Sequence, residues 1–287
     1  MNAVPRREFR YSDNVVINYQ VEGEGALPVV FLHGFAASLA TWDDIRPLFP
    51  PARCRLYCLD LKGFGRSSKP RDGAYGPADQ AAVVVAFLEG QGVRKAVLVG
   101  HSLGGGIALL TLLQSAAGKR DLIGGLVLID CAAYPQKLPP VLGLLRRPLL
   151  GWAILHLLPV SVMVRFTLLK IYHDRRTMTP ARIARYTDSF TRHGIVRVFI
   201  ETVRRLIPED FPRIIASYRT IAAQVLVIWG RNDPIIPLEK GVRLNRDIPG
   251  SRLVVIDACG HNPHEEKPAA TCAAIAEFLD RFFETPH

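Results

Sequence analysis

The chain has 287 residues, of which 49% are hydrophobic and 22% are charged. This composition is that of a globular protein, and it excludes a disordered or collagen-like chain. The formal net charge of +10 excludes neither an enzyme nor a basic binding protein, so the indications of function lie in the pattern of residues.

The first predicted elements form an antiparallel hairpin at a sheet edge, with strands at residues 9–11 and 15–20 around a Ser12-Asp13-Asn14 turn. Six short apolar runs follow that are typical of buried parallel strands, and segments of helical periodicity lie between most of them. The predicted strands are residues 29–32, 55–60, 96–100, 126–130, 225–230 and 253–257, and the predicted helices are residues 77–89, 103–117 and 269–283. This alternation predicts an α/β fold with a doubly wound, mostly parallel sheet that is covered on both faces.

The alternation of strands and helices stops after residue 130, and about 90 residues pass before the next predicted strand. A structureless loop of that length is uncommon in a compact domain, so we interpret residues 134–222 as an inserted helical cap, called the cap segment below. It would divide the core into residues 1–133 and 223–287. Helices are predicted within it at about residues 141–156, 160–173, 180–193 and 196–206.

The cap segment carries all of the excess positive charge, with 15 Lys or Arg against 5 Asp or Glu, whereas the rest of the chain has 21 of each sign. Its cations include Arg146, Arg147, Arg165, Arg204 and Arg205. It also contains an uncharged stretch, residues 148–164, that is short for a membrane span. Two interpretations stay open: the basic surface contacts a membrane or anionic lipid, or it is a solvated face over an ordinary helical core.

The strongest local signal is the sequence Gly100-His101-Ser102-Leu103-Gly104, where a predicted strand ends and a predicted helix begins. A serine at such a tight turn has a strained backbone, and the glycines on either side let the turn close without a Cβ clash. The hydroxyl of Ser102 is therefore expected above the carboxyl edge of the sheet, at a helix N-terminus that favours negative charge.

With this motif the chain resembles the α/β-hydrolase fold family over nearly its whole length. It is similar to the capped serine esterases and lipases of that family, and to the C–C bond hydrolases of the same subgroup. The further family marks follow in the expected order: His33-Gly34-Phe35, Gly63-Phe64-Gly65-Arg66-Ser67, Asp233 in Gly230-Arg231-Asn232-Asp233-Pro234, and His261 in Gly260-His261-Asn262-Pro263-His264. Each mark is weak alone, but the set is specific.

The resemblance implies a catalytic triad of Ser102, His261 and Asp233. A serine hydroxyl is a poor nucleophile, so His261 would take its proton during attack and return it to the leaving group. Asp233 would hold the imidazole of His261 in the correct tautomer. The backbone N–H groups of Phe35 and Leu103 would stabilise the oxyanion that develops on the substrate.

Other residues compete for these roles. Asp130 ends the strand before the cap segment and is an alternative acid, and His264 is an alternative base at a helix start. The remaining candidates are interpreted as groups that orient loops or pack in the core: His33, His101, Asp60 and Trp42.

The predicted function is hydrolysis of carboxylic esters with apolar acyl or aromatic groups, through an acyl-enzyme at Ser102 that water then attacks. One alternative is a C–C bond hydrolase of the meta-cleavage type, which the resemblance also includes. A second alternative is a ligand receptor that keeps the fold and turns over slowly. The strand-to-helix turn that holds Ser102 is called the elbow below. Haloalkane dehalogenases and epoxide hydrolases of this fold have a carboxylate residue at this position, and Ser102 does not match them.

The sequence predicts no cofactor and no metal, since no cluster has metal-ligand spacing along the chain and the glycines at 104–106 lack a dinucleotide fingerprint. No nucleic-acid-binding module accompanies the positive charge. The five cysteines show neither a disulfide nor a metal pattern, and residues 1–13 contain no apolar leader. A cytoplasmic location is therefore expected, and the oligomeric state is left open.

Overall fold

Eight strands of the computed structural model, which describes residues 4–135 and 159–284, form one sheet in the spatial order β1-β2-β4-β3-β5-β6-β7-β8. The strands are β1 (Arg6–Ser12), β2 (Val15–Glu22), β3 (Leu27–Leu32), β4 (Cys54–Leu59), β5 (Ala96–His101), β6 (Ile123–Ile129), β7 (Gln224–Gly230) and β8 (Arg252–Ile256). β2 pairs antiparallel with β1 and β4, and the other neighbouring strands are parallel. The predicted α/β fold, its edge hairpin and its parallel strands are therefore confirmed.

The described helices lie between these strands and after them. They are α1 (Pro77–Gly90), α2 (Leu103–Ala117), α3 (Val160–Ile171), α4 (Pro180–Phe190), α5 (Ile195–Arg204), α6 (Phe211–Ser217), α7 (Leu238–Asp247), α8 (Pro263–Glu266) and α9 (Pro268–Glu284). Three helices predicted in the cap segment are confirmed as α3, α4 and α5, and the one at about 141–156 lies outside the described residues. None of the described helices is long and apolar enough to cross a bilayer.

The sequence patterns did not predict α6 or α7. α7 contains Gly241, and glycine weakens a helix in isolation. A Cβ at this position would lie 2.6 Å from the ring of Trp229, so glycine lets α7 pack directly on β7. Tertiary packing therefore stabilises α7, although the low helix propensity of Gly241 argues against a helix at this point in the sequence.

Apolar residues pack on both faces of the sheet, as expected for parallel strands between helices. In β3, Val30 and Leu32 join the apolar cluster that contains residues of α1 and α2. The alternate residues Val29 and Phe31 join a second cluster with Trp42 and residues of α9. Trp42 is fully buried, as predicted for a core residue.

The carboxyl ends of β3, β5, β6 and β7 meet at one edge of the sheet because these strands are parallel. The segments that leave this edge carry His33, Ser102, Asp130 and Asp233. Residues 159–222, the described part of the cap segment, form helices and turns without a strand between β6 and β7. The candidate polar residues therefore start from neighbouring strands, while the division into core and cap stays a prediction.

Candidate active site

Ser102 occupies a sharp turn between the end of β5 and the start of α2. Its φ of 51° and ψ of −116° are values that residues with a Cβ rarely adopt. A Cβ on Gly100 would overlap the carbonyl oxygen of Gly104, and a Cβ on Gly104 would overlap that of Leu32. The turn therefore has the strained geometry expected from the sequence, and both glycines are required by direct contact.

The side chains of Ser102, His261 and Asp233 form a continuous chain of hydrogen bonds. His261 Nε2 lies 3.0 Å from Ser102 Oγ, and His261 Nδ1 lies 2.7 Å from Asp233 Oδ2. An ionised carboxylate only accepts hydrogen bonds, so Nδ1 carries the proton and Nε2 accepts from the serine hydroxyl. Folding thus brings together three residues of which the first and last are 159 positions apart.

Asp233 is held by backbone donors as well as by His261. Its Oδ1 accepts from the N–H groups of Ile235 at 2.7 Å and Ile236 at 3.0 Å, which leaves Oδ2 for the imidazole. Burial alone would raise the pKa of Asp233, but His261 and hydrogen bonds from Asp130 and the backbone hold that pKa below its ordinary value. Asp233 is therefore ionised at neutral pH, as an acid that fixes a histidine tautomer must be.

The peptide groups on both sides of the His261 Cα are fixed. The N–H of His261 donates to the carbonyl oxygen of Ile171, at the end of α3, over 2.8 Å. Its carbonyl oxygen accepts from Nε2 of His101, also at 2.8 Å. Burial, reinforced by the neighbouring His261, lowers the pKa of His101 to about 3, so His101 is neutral with its proton on Nε2. His101 thus orients the loop of His261, and α3 contacts the same loop.

Glu266 joins the loop of His261 to the cap segment. Its Oε1 accepts from the N–H of Gly260 at 2.8 Å, and its Oε2 accepts from the N–H groups of His173 at 2.8 Å and Asp174 at 3.1 Å. No motif in the sequence predicts this role of Glu266. The only signal was its position in the helix start that follows the His261 motif.

The adjacent Glu265 is buried among side chains of the cap segment. The hydroxyl groups of Tyr172 and Tyr186 both donate to it, the second over 2.8 Å, and Asn262 donates from Nδ2 over 2.6 Å. Arg182 lies within 3.9 Å and forms an ion pair with it. Two consecutive carboxyl side chains therefore connect the His261 loop to helices of the cap segment.

The two predicted oxyanion donors lie next to the elbow in sequence and in space. Leu103 is the first residue of α2, so its N–H has no acceptor within the helix. A Cβ on Gly34 would lie 3.3 Å from the Cβ of Ser102, so the loop after β3 passes against the serine. Phe35 follows Gly34 in that loop. The role of these two N–H groups stays a prediction.

His33 and Asp60 hold the loops around the elbow. His33 Nε2 accepts from the N–H of Leu61 at 3.1 Å, so Nδ1 carries the proton. This Nδ1 donates to the carbonyl oxygen of Gly34 over 2.8 Å. Burial lowers the pKa of His33, which keeps its imidazole neutral. Asp60 accepts from the N–H groups of Leu39 and Arg66, both at 2.8 Å. Both residues contact loops in the way that the sequence interpretation expected.

The alternative acid and base have other partners. His264 is fully buried, and its Nε2 lies 3.0 Å from the hydroxyl of Thr41. Asp130 accepts from the N–H of Gly230 at 3.0 Å, and its carboxyl group lies beside that of Asp233. Together with His261, these two carboxyl groups form a cluster whose polar atoms lie within 4.8 Å of one another. Spacing along the chain did not reveal this cluster, because its members come from three separate loops.

Aromatic and aliphatic side chains surround the elbow. Phe35 packs against Phe64 and Phe199, with ring centroids 6.0 Å and 5.1 Å away. Phe199 belongs to α5, so the cap segment contributes to this wall. A small apolar cavity of about 40 Å³ lies beside α2, and its lining includes Leu103, Leu110, Ala132, Leu206 and Phe211. Such surroundings suit apolar groups of a ligand.

Comparison with known proteins agrees with this geometry. Residues 29–275 match the model of the alpha/beta hydrolase family. The uncharacterized hydrolase YugF of Bacillus subtilis is 31% identical over 97% of this chain and 100% of its own length. A 2-hydroxy-6-oxononadienedioate/2-hydroxy-6-oxononatrienedioate hydrolase of Burkholderia vietnamiensis is 27% identical over 92% of this chain and 91% of its own length.

Among solved structures, a membrane phospholipase A that is a bacterial virulence factor is 26% identical to this chain. The two superpose with a TM-score of 0.80 over 98% of this chain and 87% of the other. The family model covers most of the sequence. Strands β4 to β8, the turn at Ser102 and the hydrogen-bonded chain of Ser102, His261 and Asp233, called the relay below, all lie within the matched residues. The chain therefore belongs to the alpha/beta hydrolase family and is a hydrolase.

Proposed function

We propose that this protein is a serine hydrolase that cleaves carboxylic esters with apolar acyl or aromatic groups. The observation that carries the proposal is the hydrogen-bonded chain from Ser102 through His261 to Asp233. His261 Nε2 takes the hydroxyl proton as Ser102 Oγ attacks the ester carbonyl, and returns it to the leaving alcohol. The N–H groups of Phe35 and Leu103 stabilise the oxyanion. Water activated by the same imidazole then releases the acid.

The surroundings of the relay support an uncharged substrate. The imidazole of His101 packs at a tilt against that of His261, with ring centroids 4.9 Å apart, and the imidazole of His264 packs in the same way against His101 at 4.5 Å. Burial lowers the pKa of both, so neither offers a positive charge. The phenyl rings of Phe35 and Phe199 add an apolar wall. The similarity to a phospholipase A supports a carboxylic ester of an apolar acyl group as the bond that is cleaved.

A C–C bond hydrolase of the meta-cleavage type is the second candidate. The relative from Burkholderia vietnamiensis favours it, because that relative is named for hydrolysis of 2-hydroxy-6-oxononadienedioate. The name denotes a substrate with two carboxylates, and carboxylates in a binding site are commonly matched by cations. Neutral imidazoles and phenyl rings next to the relay match an ester better.

One substrate panel separates these functions. The purified protein is given p-nitrophenyl esters of increasing acyl length and a meta-cleavage dienoate, and its serine is labelled with a fluorophosphonate. We expect labelling of Ser102, turnover of esters that increases with acyl length, and no turnover of the dienoate. Faster turnover of the dienoate than of any ester would assign the protein to the C–C bond hydrolases. Labelling without turnover of any ester would favour a slow receptor.

We further propose that the basic surface of the cap segment contacts anionic lipid. A cleft of about 1520 Å³ is lined by the loop after β4 and by residues of α4 and α5. Its described lining contains two Glu and seven cations, Arg6, Arg66, Lys69, Arg71, Arg192, Arg197 and Arg204. Burial lowers the pKa of Lys69 to about 8, the carboxylate of Asp60 opposes this shift, and the charge of Arg192 adds to it. An anion in the cleft would offset the repulsion between Lys69 and Arg192. Arg146 and Arg147 lie outside the described residues.

Sedimentation with lipid vesicles tests this contact. We expect binding to phosphatidylglycerol vesicles that weakens with added salt, and none to phosphatidylcholine vesicles. Reversing the charges of two exposed cations of the cap segment, Arg204→Glu with Arg205→Glu, should weaken binding by about tenfold or more. The control, Arg94→Glu with Lys119→Glu, makes the same charge change at exposed positions on the opposite edge of the sheet. An equal loss of vesicle binding in the two variants would contradict a specific contact, because net charge alone would then explain the binding.

A further inference from the structure

Asp130 and Asp233 form a pair of buried carboxyl groups next to His261. Asp130 is fully buried and Asp233 is 6% exposed. One oxygen of each carboxyl group and one nitrogen of the His261 imidazole lie within 4.8 Å of one another. Two carboxylates this close in a buried site repel each other, and this repulsion favours a proton on one of them. One member of the pair is therefore protonated.

The other partners of each carboxyl group show where the proton lies. Asp233 accepts from two backbone N–H groups and from the imidazole of His261, and these donors stabilise its ionised form. Asp130 accepts from one backbone donor, the N–H of Gly230, which lies 3.0 Å from Oδ1. Within the part of the chain that the structure describes, its buried Oδ2 has no donor. The proton of the pair therefore belongs to Asp130 Oδ2.

The electrostatic surroundings of Asp130 favour the same state. The titratable groups that face it are Asp233 and His261 from the relay, Glu266 from α8, and the thiols of Cys131 and Cys259. Burial, followed by the negative charge of Asp233, raises the pKa of Asp130 well above its ordinary value. Asp130 also has a φ of 42°, and strained conformations of this kind persist where the surroundings over-determine a residue.

We propose that Asp130 is a neutral carboxylic acid at neutral pH, and that it donates a hydrogen bond to Asp233 and so positions the triad carboxylate toward His261. Asp130 is a positioning residue, and this role rests on the proposed function, in which Asp233 is the triad acid. If the side chain needs no charge, asparagine can replace it. In Asp130→Asn, Nδ2 of the new amide would donate to Asp233, and Oδ1 would accept from the N–H of Gly230.

The variants Asp130→Asn and Asp130→Ala test this role. The readout is the rate of fluorophosphonate labelling of Ser102 across pH, which requires no knowledge of the substrate. We expect Asp130→Asn to label within about threefold of wild type with the acid limb of the profile unmoved, because the charge beside His261 does not change. Asp130→Ala should label about tenfold more slowly, because Asp233 loses a charge-assisted hydrogen bond.

Infrared difference spectra add a readout that is independent of activity. Wild type at pH 7 should show the band of a protonated carboxyl group that Asp130→Asn lacks. The control Asp121→Asn, at a side chain that is 65% exposed, should keep that band. If Asp130→Ala does not fold, Asp130→Asn and the infrared band still decide the question.

Three outcomes would contradict the proposals. Absence of the band, or an acid limb shifted by about one pH unit or more in Asp130→Asn, would show that Asp130 is ionised. Equal labelling of wild type and Asp130→Ala would overturn the positioning role. If wild type keeps the band but is not labelled, the serine-hydrolase proposal fails, and so does any role of Asp130 in positioning a triad.

Discussion

Replacing Ser102 with alanine is expected to lower kcat for ester hydrolysis by about 10⁴-fold or more, and to leave the fold intact. The variant removes the Oγ that lies 3.0 Å from His261 Nε2, so no acyl-enzyme can form. Alanine has the same Cβ as serine, and the strained φ of 51° is therefore no harder to adopt. The checks are kcat with a p-nitrophenyl ester and the melting temperature of the variant.

The matched control for this experiment is Ser115→Ala on the same helix. The hydroxyl of Ser115 donates to the carbonyl oxygen of Arg120 over 2.7 Å at the other end of α2. Its loss should reduce the free energy of unfolding by about 1 kcal/mol without a change in kcat. Turnover by Ser102→Ala at the wild-type rate would contradict the assignment of the nucleophile.

The substitution Asp233→Asn is expected to lower kcat by about 10⁴-fold, although it changes the shape of the side chain very little. The N–H groups of Ile235 and Ile236 donate to Oδ1, so they hold the oxygen of the new amide in that position. The amide nitrogen then faces His261 as a donor. The imidazole must accept through Nδ1 and carry its proton on Nε2, and it can no longer take the proton of Ser102.

Kinetics on Asp233→Asn should show a large loss in kcat and little change in KM, because the lost interaction stabilises the transition state rather than the bound substrate. Asp257→Asn is the control, since its side chain is 77% exposed and paired with Arg231. A loss in kcat of less than about tenfold would contradict the role of Asp233 in fixing the tautomer, and would return Asp130 as a candidate acid.

The features that the sequence predicts well are those with a local physical cause. Each buried parallel strand is a short apolar run, and the elbow at Ser102 requires glycines at fixed positions on either side of the serine. The order of the motifs along the chain, combined with the family resemblance, also identified Asp233 and His261. The structure places His261 within hydrogen-bonding distance of Ser102, and Asp233 within that distance of His261, while their catalytic roles remain proposals.

The features that the sequence does not predict depend on contacts between distant parts of the chain. The N–H of Gly230 donates to Asp130 across 100 positions, and no spacing rule connects the two. Glu266 is likewise indistinguishable from a surface glutamate until folding brings its carboxylate to the N–H groups of Gly260 and His173. Helix α7 was not predicted for a related reason. Gly241 allows close contact with Trp229, but its low helix propensity hides the helix in the sequence.

The hydrogen bond from the N–H of His261 to the carbonyl oxygen of Ile171 has a consequence for protein engineering. Grafting the cap segment of a homologue is one way to test the proposed role of this segment in specificity. In this protein such a chimaera would also exchange the peptide that anchors His261, the proposed general base. A donor lid should therefore be chosen for the path of its main chain at residue 171 before its side chains are considered.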